Sequence, residues 1–510
     1  MKLDFIKNTK KGIVAGIIAR VVALFFPFLN RTLFLMLLGP KYLGLNGLFA
    51  SILGVLSLAE LGFGTAIVCS MYKPIADDDR ELVCSYLNFY RTIYRWIGTA
   101  IFLIGLCLMP FLRQLVHGNL PPDVDLHILY LLHLINTSVS YFLFAYRGVI
   151  ISAHQRHDVT TNIGTLISLM QYIVVFAVLA LTRNYYLYVI TTIFFTVARN
   201  LLIMRASKRL FPDIAPRGEL AKDKRNKVAH DVKAIFMHKI GTVISYSIDN
   251  VLLSAFIGLE AVATYGNYYY VYTAIAGIPS IVYTSMTGGF GNRIHTESRE
   301  ENFKLLMRVY RLVGLVIIWC AAMMLALYQP FIKVWMGHRY ATLALHFLTP
   351  ALLVLYFYIN QSRQVLLTYK AAAGLWKEDQ WKPVVGGAVK LTSGLALIAW
   401  LPPEYKLDGV ILSSIIGYIL IQIPWESNVV FTKFFDRQQK KTYWGNQAFM
   451  VLAAIAPCAI ALTAVRLIPM EGLPGLAVKA AVAAVLVSTL VVATFRRDVL
   501  DLLGILLRKR

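Results

Sequence analysis

Charge is scarce in this 510-residue chain: only 15% of its residues are Asp, Glu, Lys or Arg, against about 25% in an ordinary soluble domain. Cysteine is scarcer still. The five (Cys69, Cys84, Cys107, Cys320 and Cys458) are scattered and form neither CxxC nor a metal-ligand spacing, which argues against a disulfide framework or a zinc site. The sequence holds no G-x-x-x-x-G-K-[ST], so no ATP-driven engine resides in it, and neither HExxH nor GxSxG occurs. Long polar loops are missing too, leaving little room for a catalytic domain outside the apolar segments. A membrane-embedded sugar polymerase would need such a loop. What is abundant is apolar surface, at 58% of residues and a mean hydropathy of +0.63. The chain reads as an all-α polytopic membrane protein, with no catalytic residue, cofactor or metal site.

About 20 apolar residues are needed to cross roughly 30 Å of hydrocarbon. Segments of that length fall near 12–36, 43–70, 90–112, 126–151, 162–182, 184–206, 234–257, 261–288, 306–329, 342–369, 383–402, 408–432, 446–467 and 474–495. These are about 14 transmembrane helices. The opening "MKLDFIKNTKKGIVAGIIARVVALFF" continues too long for a signal peptide and reads as a retained first span. With both termini inside, the cytoplasmic pieces carry about thirty Lys and Arg against about seven on the opposite loops, the asymmetry of positive-inside topology. The net charge of +23 is therefore mainly a topology signal, with attraction to anionic lipid secondary.

Residues 207–233 form the longest polar interval and separate six spans from the rest. A shift of about 220 positions aligns "DDRELVCSYLNFYR" (78–91) with "SREENFKLLMRVYR" (298–311), ending on Tyr90-Arg91 and Tyr310-Arg311. An even number of spans lies between them, so the repeat is parallel rather than inverted.

Ionisable residues inside spans usually face a bundle interior or aqueous cavity. Arg20 lies about 13 Å into the first span, and Arg31, eleven steps of about 100° later, returns to the same face. Together they read as a line of positive charge on a cavity wall. Arg91, Arg147, Arg311, Arg363 and Lys479 lie near span ends and have stems long enough to snorkel; Arg147 and Arg363 are also cavity candidates. Lys390, in "GGAVKLTSG", lies about two turns inside its span. Glu60, in "LSLAELGFGTAI", is open to two readings: an arginine's partner, or a cation-binding group.

Asp249, in "VISYSIDNVLLSAF", shares a helix face with Ser245 and Tyr246. An ion pair, with Arg31 as the partner, and a proton, Na⁺ or sugar-hydroxyl site are both open for it. Tyr265, Tyr268, Tyr269, Tyr270 and Tyr272 crowd one end of the eighth span. They suit an interfacial belt or, with Asn267, a sugar-lined cavity.

The stretches "LGPKYLGLNGLFASILGVLSLAELGFGTAIVCSMYKPIADDD" (38–79) and "ISYSIDNVLLSAFIGLEAVATYGNY" (244–268) resemble bacterial polysaccharide-transport proteins. These are the Wzx-type O-antigen and exopolysaccharide flippases of the MOP exporter superfamily. The resemblance covers most of 10–435, and the last two spans match only in hydrophobicity. It implies two six-helix lobes (1–206 and 234–432) in a V-shaped, MATE-like arrangement. A cytoplasmic linker (207–233) would join them, and two further helices with a basic tail would follow (433–510). It implies an inner, plasma-membrane flippase that carries undecaprenyl-diphosphate-linked oligosaccharide from the inner to the outer leaflet by alternating access. Its partners would be membrane lipids and the polymerase and glycosyltransferases of the same pathway, with no nucleic acid.

On that reading Arg20, Arg31, Arg147, Arg363, Lys390, Tyr246, Asn267 and Tyr268 are cargo-binding candidates. Asp249 and Glu60 are candidates for coupling H⁺ or Na⁺. Arginine suits a diphosphate because its planar fork donates two parallel hydrogen bonds. The alternatives are a lipid II or teichoic-type lipid exporter, differing in cargo alone, and a MATE-like drug/cation antiporter.

Overall fold

The computed structural model describes residues 22–60, 62–337, 344–375, 378–496 and 498. For 59, 231, 233–246, 284–289, 291, 292, 295 and 296 only the backbone is described. Arg20 and the side chain of Tyr246 therefore lie outside the described residues.

The architecture is all-α, with no strand among the described residues. The helices are α1 (Val22–Leu37), α2 (Pro40–Leu56), α3 (Phe63–Ala76), α4 (Arg80–Leu108), α5 (Leu126–Phe142), α6 (Gly148–Ala153), α7 (His157–Thr182), α8 (Tyr185–Leu210) and α9 (Lys222–Phe256). They continue with α10 (Leu259–Thr296), α11 (Arg299–Met336), α12 (Leu348–Ala372), α13 (Lys382–Trp400), α14 (Lys406–Gly417), α15 (Ile423–Lys433), α16 (Arg437–Leu467) and α17 (Gly472–Thr494). Over the described residues, each of the fourteen predicted segments coincides with a helix or a broken helix pair. Among the described residues, eight helices are long and apolar enough to cross a membrane, or nine if the bent pair α5–α6 counts as one. Of the others, α2–α3 is broken, α10 and α12 carry many polar residues, and the apolar parts of α1 and α9 are described in full only over the short stretches Val22–Leu37 and Ser247–Phe256.

Their outward faces show that the surrounding solvent is apolar. Ile173 and Leu181 on α7, Phe194 on α8 and Val485 on α17 are exposed, the reverse of a soluble helix surface. The chain is a multi-pass membrane protein.

Sequence signals set the helix ends. Asp79, Asp125, Asn184 and Ser298 each accept a backbone N–H from the first turn of α4, α5, α8 and α11. Asp436 and Gln439 form a reciprocal capping box at α16. The caps Asp79 and Ser298 are 219 positions apart, and Tyr90 and Tyr310 are both buried. Each aligned segment thus opens a side-chain-capped helix and carries a buried tyrosine.

Contacts divide the chain into two compact units, Met1–Ala263 and Thr264–Arg510. In the first, α2 packs on α9, α4 on α5, α5 on α8 and α7 on α8. Expected to open the second lobe, α9 instead belongs by its contacts to the first unit. Gly44 makes this closeness feasible: a Cβ there would lie 2.0 Å from the Leu259 carbonyl oxygen. In the second unit the long, largely buried α11 packs against α12, α16 and α17, while α13 packs on α14.

Candidate functional site

In the first unit the chain breaks between α2 and α3 at a 3₁₀ turn, Ser57–Glu60, followed by Gly62 at φ 103°, a backbone region that glycine enters without steric cost. The break presents Glu60 to α4 and α5. Its carboxylate accepts hydrogen bonds from the Tyr94 and Tyr141 hydroxyls, the latter at 2.6 Å. Tyr90 packs on Tyr94 with ring centroids 4.5 Å apart. Among the described residues no cation pairs with Glu60, so tyrosine hydroxyls stand where an arginine partner was one expectation.

Arg147 follows a second break, where Phe144 adopts φ 56° between α5 and α6. It does not snorkel. Its side chain is buried, one Nη donates to the Ile214 carbonyl at 3.4 Å, and Nε has no partner among the described residues.

Arg31 on α1 is half-buried and donates to the Ala263 carbonyl at 3.1 Å. Asp249 on α9 is buried together with Ser247 and Ser254. Beside it Asn250 donates to Ser51 of α2 at 2.8 Å, and Ser254 donates to the Leu115 carbonyl at 2.6 Å. This polar stripe faces protein, which makes a carboxylate at this depth tolerable.

The densest chemistry lies in the second unit. Arg363 on α12 forks onto Glu426 of α15: Nε donates at 3.1 Å, and Nη2 donates to the second carboxylate oxygen and to Gln422 at 2.7 Å. Its remaining Nη donates to Asn360 at 3.2 Å, and the guanidinium lies 4.7 Å above the Tyr418 ring. Lys382, at the start of α13, reaches Glu426 at 2.6 Å and Asp379 at 2.8 Å, and Lys370 also pairs with Asp379. All five ionic side chains are buried, three cations against two carboxylates. Asp379 stands in the turn beyond the helices. Burial pushes its carboxyl up, but the Lys382 and Lys370 ammoniums outweigh burial and hold it below the usual carboxylate range.

Local sequence builds this network. Pro424 has no N–H to continue the α-helical ladder, and the preceding turn, Tyr418–Gln422, widens to a π-helix. Tyr418 and Gln422 in that turn both address Arg363. Gly386 lets α13 approach closely, since a Cβ there would sit 3.1 Å from the Gln422 amide nitrogen. Lys390, one turn further on α13, is buried rather than snorkelled.

A column of tyrosines runs into the same network. Ring centroids are 5.4 Å apart from Tyr265 to Tyr269, 4.9 Å on to Tyr272, 5.2 Å to Tyr356 and 5.4 Å to Tyr418. Asn360 donates to the Tyr272 hydroxyl at 2.7 Å. Tyr265, Tyr268 and Tyr272 are buried, so an interfacial belt is not what they form. The Tyr268 hydroxyl serves Gln329 and the Leu345 amide, both at 3.2 Å, and the Asn267 amide faces the Met336 sulfur.

Sequence reasoning singled out Arg363 but missed Glu426, Asp379, Lys382 and Lys370. Glu426 was detectable as an acid seven residues inside a predicted span. Lys370, Asp379 and Lys382 fall in the polar stretch between the predicted spans 342–369 and 383–402 and carry no signal of burial.

No protein-family profile matches the sequence, and no curated protein matches it by sequence. Solved structures do. The lipid II flippase MurJ in an inward closed conformation aligns with TM-score 0.65 at 15% identity, covering 96% of this chain and 99% of its own. An inward-facing multidrug-resistance MATE family transporter of the MOP superfamily aligns with TM-score 0.61 at 11% identity, covering 82% and 98%. A MOP superfamily transporter from Pyrococcus furiosus, described as having reversed polarity in its binding pocket, aligns with TM-score 0.53 at 12% identity over 84% and 97%. The fold is thus that of MOP-superfamily transporters.

Proposed function

We propose that this protein is a flippase that carries a lipid-linked, diphosphate-bearing oligosaccharide across the bilayer by alternating access. The observation that carries this reading is the extent of the fold match. The MurJ architecture accounts for 96% of the chain, whereas the MATE transporter accounts for 82%, so the helices here follow the lipid flippase's fold for nearly their full length. The quoted resemblance at 38–79 and 244–268 points to a polysaccharide repeat unit on undecaprenyl diphosphate as the cargo.

Arg31, with Arg20, supplies positive charge for the diphosphate, and the polar interior of α9 around Asp249 suits sugar hydroxyls. Glu60 and Asp249 are the carboxylates through which an H⁺ or Na⁺ gradient would act. The lobes that alternate are the two contact units, divided at Ala263–Thr264 rather than at 207–233, with the last two helices accessory to the second. The protein works in a bacterial plasma membrane, beside the polymerase and glycosyltransferases that handle the same cargo.

The test is transport in proteoliposomes containing polyprenyl-diphosphate oligosaccharide, comparing wild type with Arg31→Ala. Hydrogen bonds to charged groups contribute about 1.5–3 kcal/mol, so the variant should need about 10- to 100-fold more cargo for the same rate. Unchanged concentration dependence in a folded, inserted Arg31→Ala protein would remove Arg31 from the cargo site.

A further inference from the structure

One surface of the second unit is not accounted for by cargo transport. Beyond α15 the chain turns at Phe434–Asp436 into α16, and a groove of about 700 Å³ opens at that corner. Arg437, Lys440, Lys441 and Trp444 line it. Their spacing of three, four and seven residues places all four on one face of α16. None of the three cations has a carboxylate partner among the described residues. Lys440 donates to the Asn428 side chain at 3.3 Å. The nearest acid, Asp436, is engaged in capping the helix: its carboxylate accepts the Gln439 amide at 2.7 Å. The groove thus holds three cations against one occupied carboxylate.

The same stripe continues into the bilayer. Trp444 lies about 10 Å along the axis from Arg437 and is 38% exposed. Past it, at successive steps of three or four residues, come Ala448, Val451 or Leu452, and Ile455. The last three are 47%, 66% and 59% exposed, so this face of α16 is bare apolar surface. Going inward, the order is basic cluster, indole, apolar track. That order matches an anionic headgroup, the glycerol level and an acyl chain.

We propose that this corner binds a glycerophospholipid with an anionic headgroup, from the leaflet faced by the Lys- and Arg-rich loops. Arg437, Lys440 and Lys441 hold the phosphate. Trp444 packs at the glycerol level, and one acyl chain lies along Val451, Leu452 and Ile455. A zwitterionic lipid fits the apolar track equally well and brings a phosphate too, but its ammonium group cancels that charge and is repelled by the three cations. The site therefore selects by headgroup.

Trp444 provides the readout. The full-length protein is reconstituted with phosphatidylglycerol or phosphatidylcholine brominated on the acyl chains, and tryptophan quenching is titrated. The chain has eight tryptophans, so subtracting the Trp444→Phe titration isolates the signal at this corner. Quenching by the brominated phosphatidylglycerol should reach half-maximum at a mole fraction at least tenfold lower than with phosphatidylcholine. Each cation near an anionic surface contributes about fivefold in affinity. Arg437→Gln, Lys440→Gln and Lys441→Gln together should erase the preference. Lys222→Gln, Lys224→Gln and Lys227→Gln, which remove equal charge from the polar start of α9, should leave it intact. Equal quenching by the two lipids in the wild type would overturn the proposal. So would loss of preference in both triple variants, because the attraction would then belong to the overall charge.

Discussion

Arg363 is held by Glu426, Gln422, Asn360 and the face of Tyr418, and Glu426 is shared with Lys382. Breaking a buried pair from one side leaves a charge without compensation and costs about 3–5 kcal/mol. Glu426→Gln should therefore lower the unfolding midpoint of the detergent-solubilised protein strongly. Arg363→Met combined with Glu426→Gln should recover part of that loss, since Lys382 keeps Asp379 at 2.8 Å. A double variant as unstable as the sum of the two singles would show that the pair is not coupled.

The charge at Asp379 adds a pH dependence. Its folded carboxyl lies below the ordinary value of about 3.9, so its contribution to stability is fully present above that pH. The contribution is lost as pH falls through the lower folded value. Asp379→Asn should accordingly be less stable than wild type at neutral pH and converge with it in strong acid. A constant gap from neutral pH into strong acid would contradict the ionic role.

The elements were readable in proportion to how purely apolar they are. Helices such as α7, α8 and α17 satisfy span length and hydropathy directly, and the sequence locates their ends within about five residues, whereas α16 begins nine residues before its predicted span. The breaks were legible only in part. Gly62 and Gly64 permit a bend beside the 3₁₀ turn at Ser57–Glu60, whereas the reversal at Phe144 arises from tertiary demands on backbone angles, and no residue pattern announces it. Nor does composition say which face a charge takes. Arg147 and Arg363 have the same long stem as any snorkelling arginine, yet both are buried because neighbouring elements supply acceptors. Close helix approach was also hidden. Gly44 looks like one glycine among 33, but a methyl group there would meet the Leu259 carbonyl at 2.0 Å. Gly44→Ala should force α2 away from the start of α10. The expected loss is about 1–3 kcal/mol in thermal unfolding, at the level of other overpacked interiors. A neutral result would mean that the two segments do not approach so closely in the membrane.

At the scale of the whole molecule, the sequence conveys the class through what it lacks and through where its cations fall. The fold comparison then separates architectures that hydropathy cannot tell apart. Both segments aligned in the parallel repeat open a capped helix, α4 and α11. The division of the chain does not follow the polar interval at 207–233. Contacts place the boundary at Ala263–Thr264, because α9 packs along α2 and its polar residues Asn250 and Ser254 bond within the first unit. A long polar stretch marks where a chain leaves the membrane, not which helices pack together.

The most direct test of the central claim uses the unmodified protein and offers it two kinds of cargo. Proteoliposomes would contain a labelled polyprenyl-diphosphate oligosaccharide in one preparation and a fluorescent organic cation in another, with insertion verified in both. If this is a lipid flippase, the oligosaccharide becomes accessible to an externally added glycosidase faster than in protein-free vesicles, and the cation stays where it was. If the cation is expelled under an imposed H⁺ or Na⁺ gradient while the lipid-linked sugar stays put under every gradient, the account is contradicted and the protein is a small-molecule antiporter.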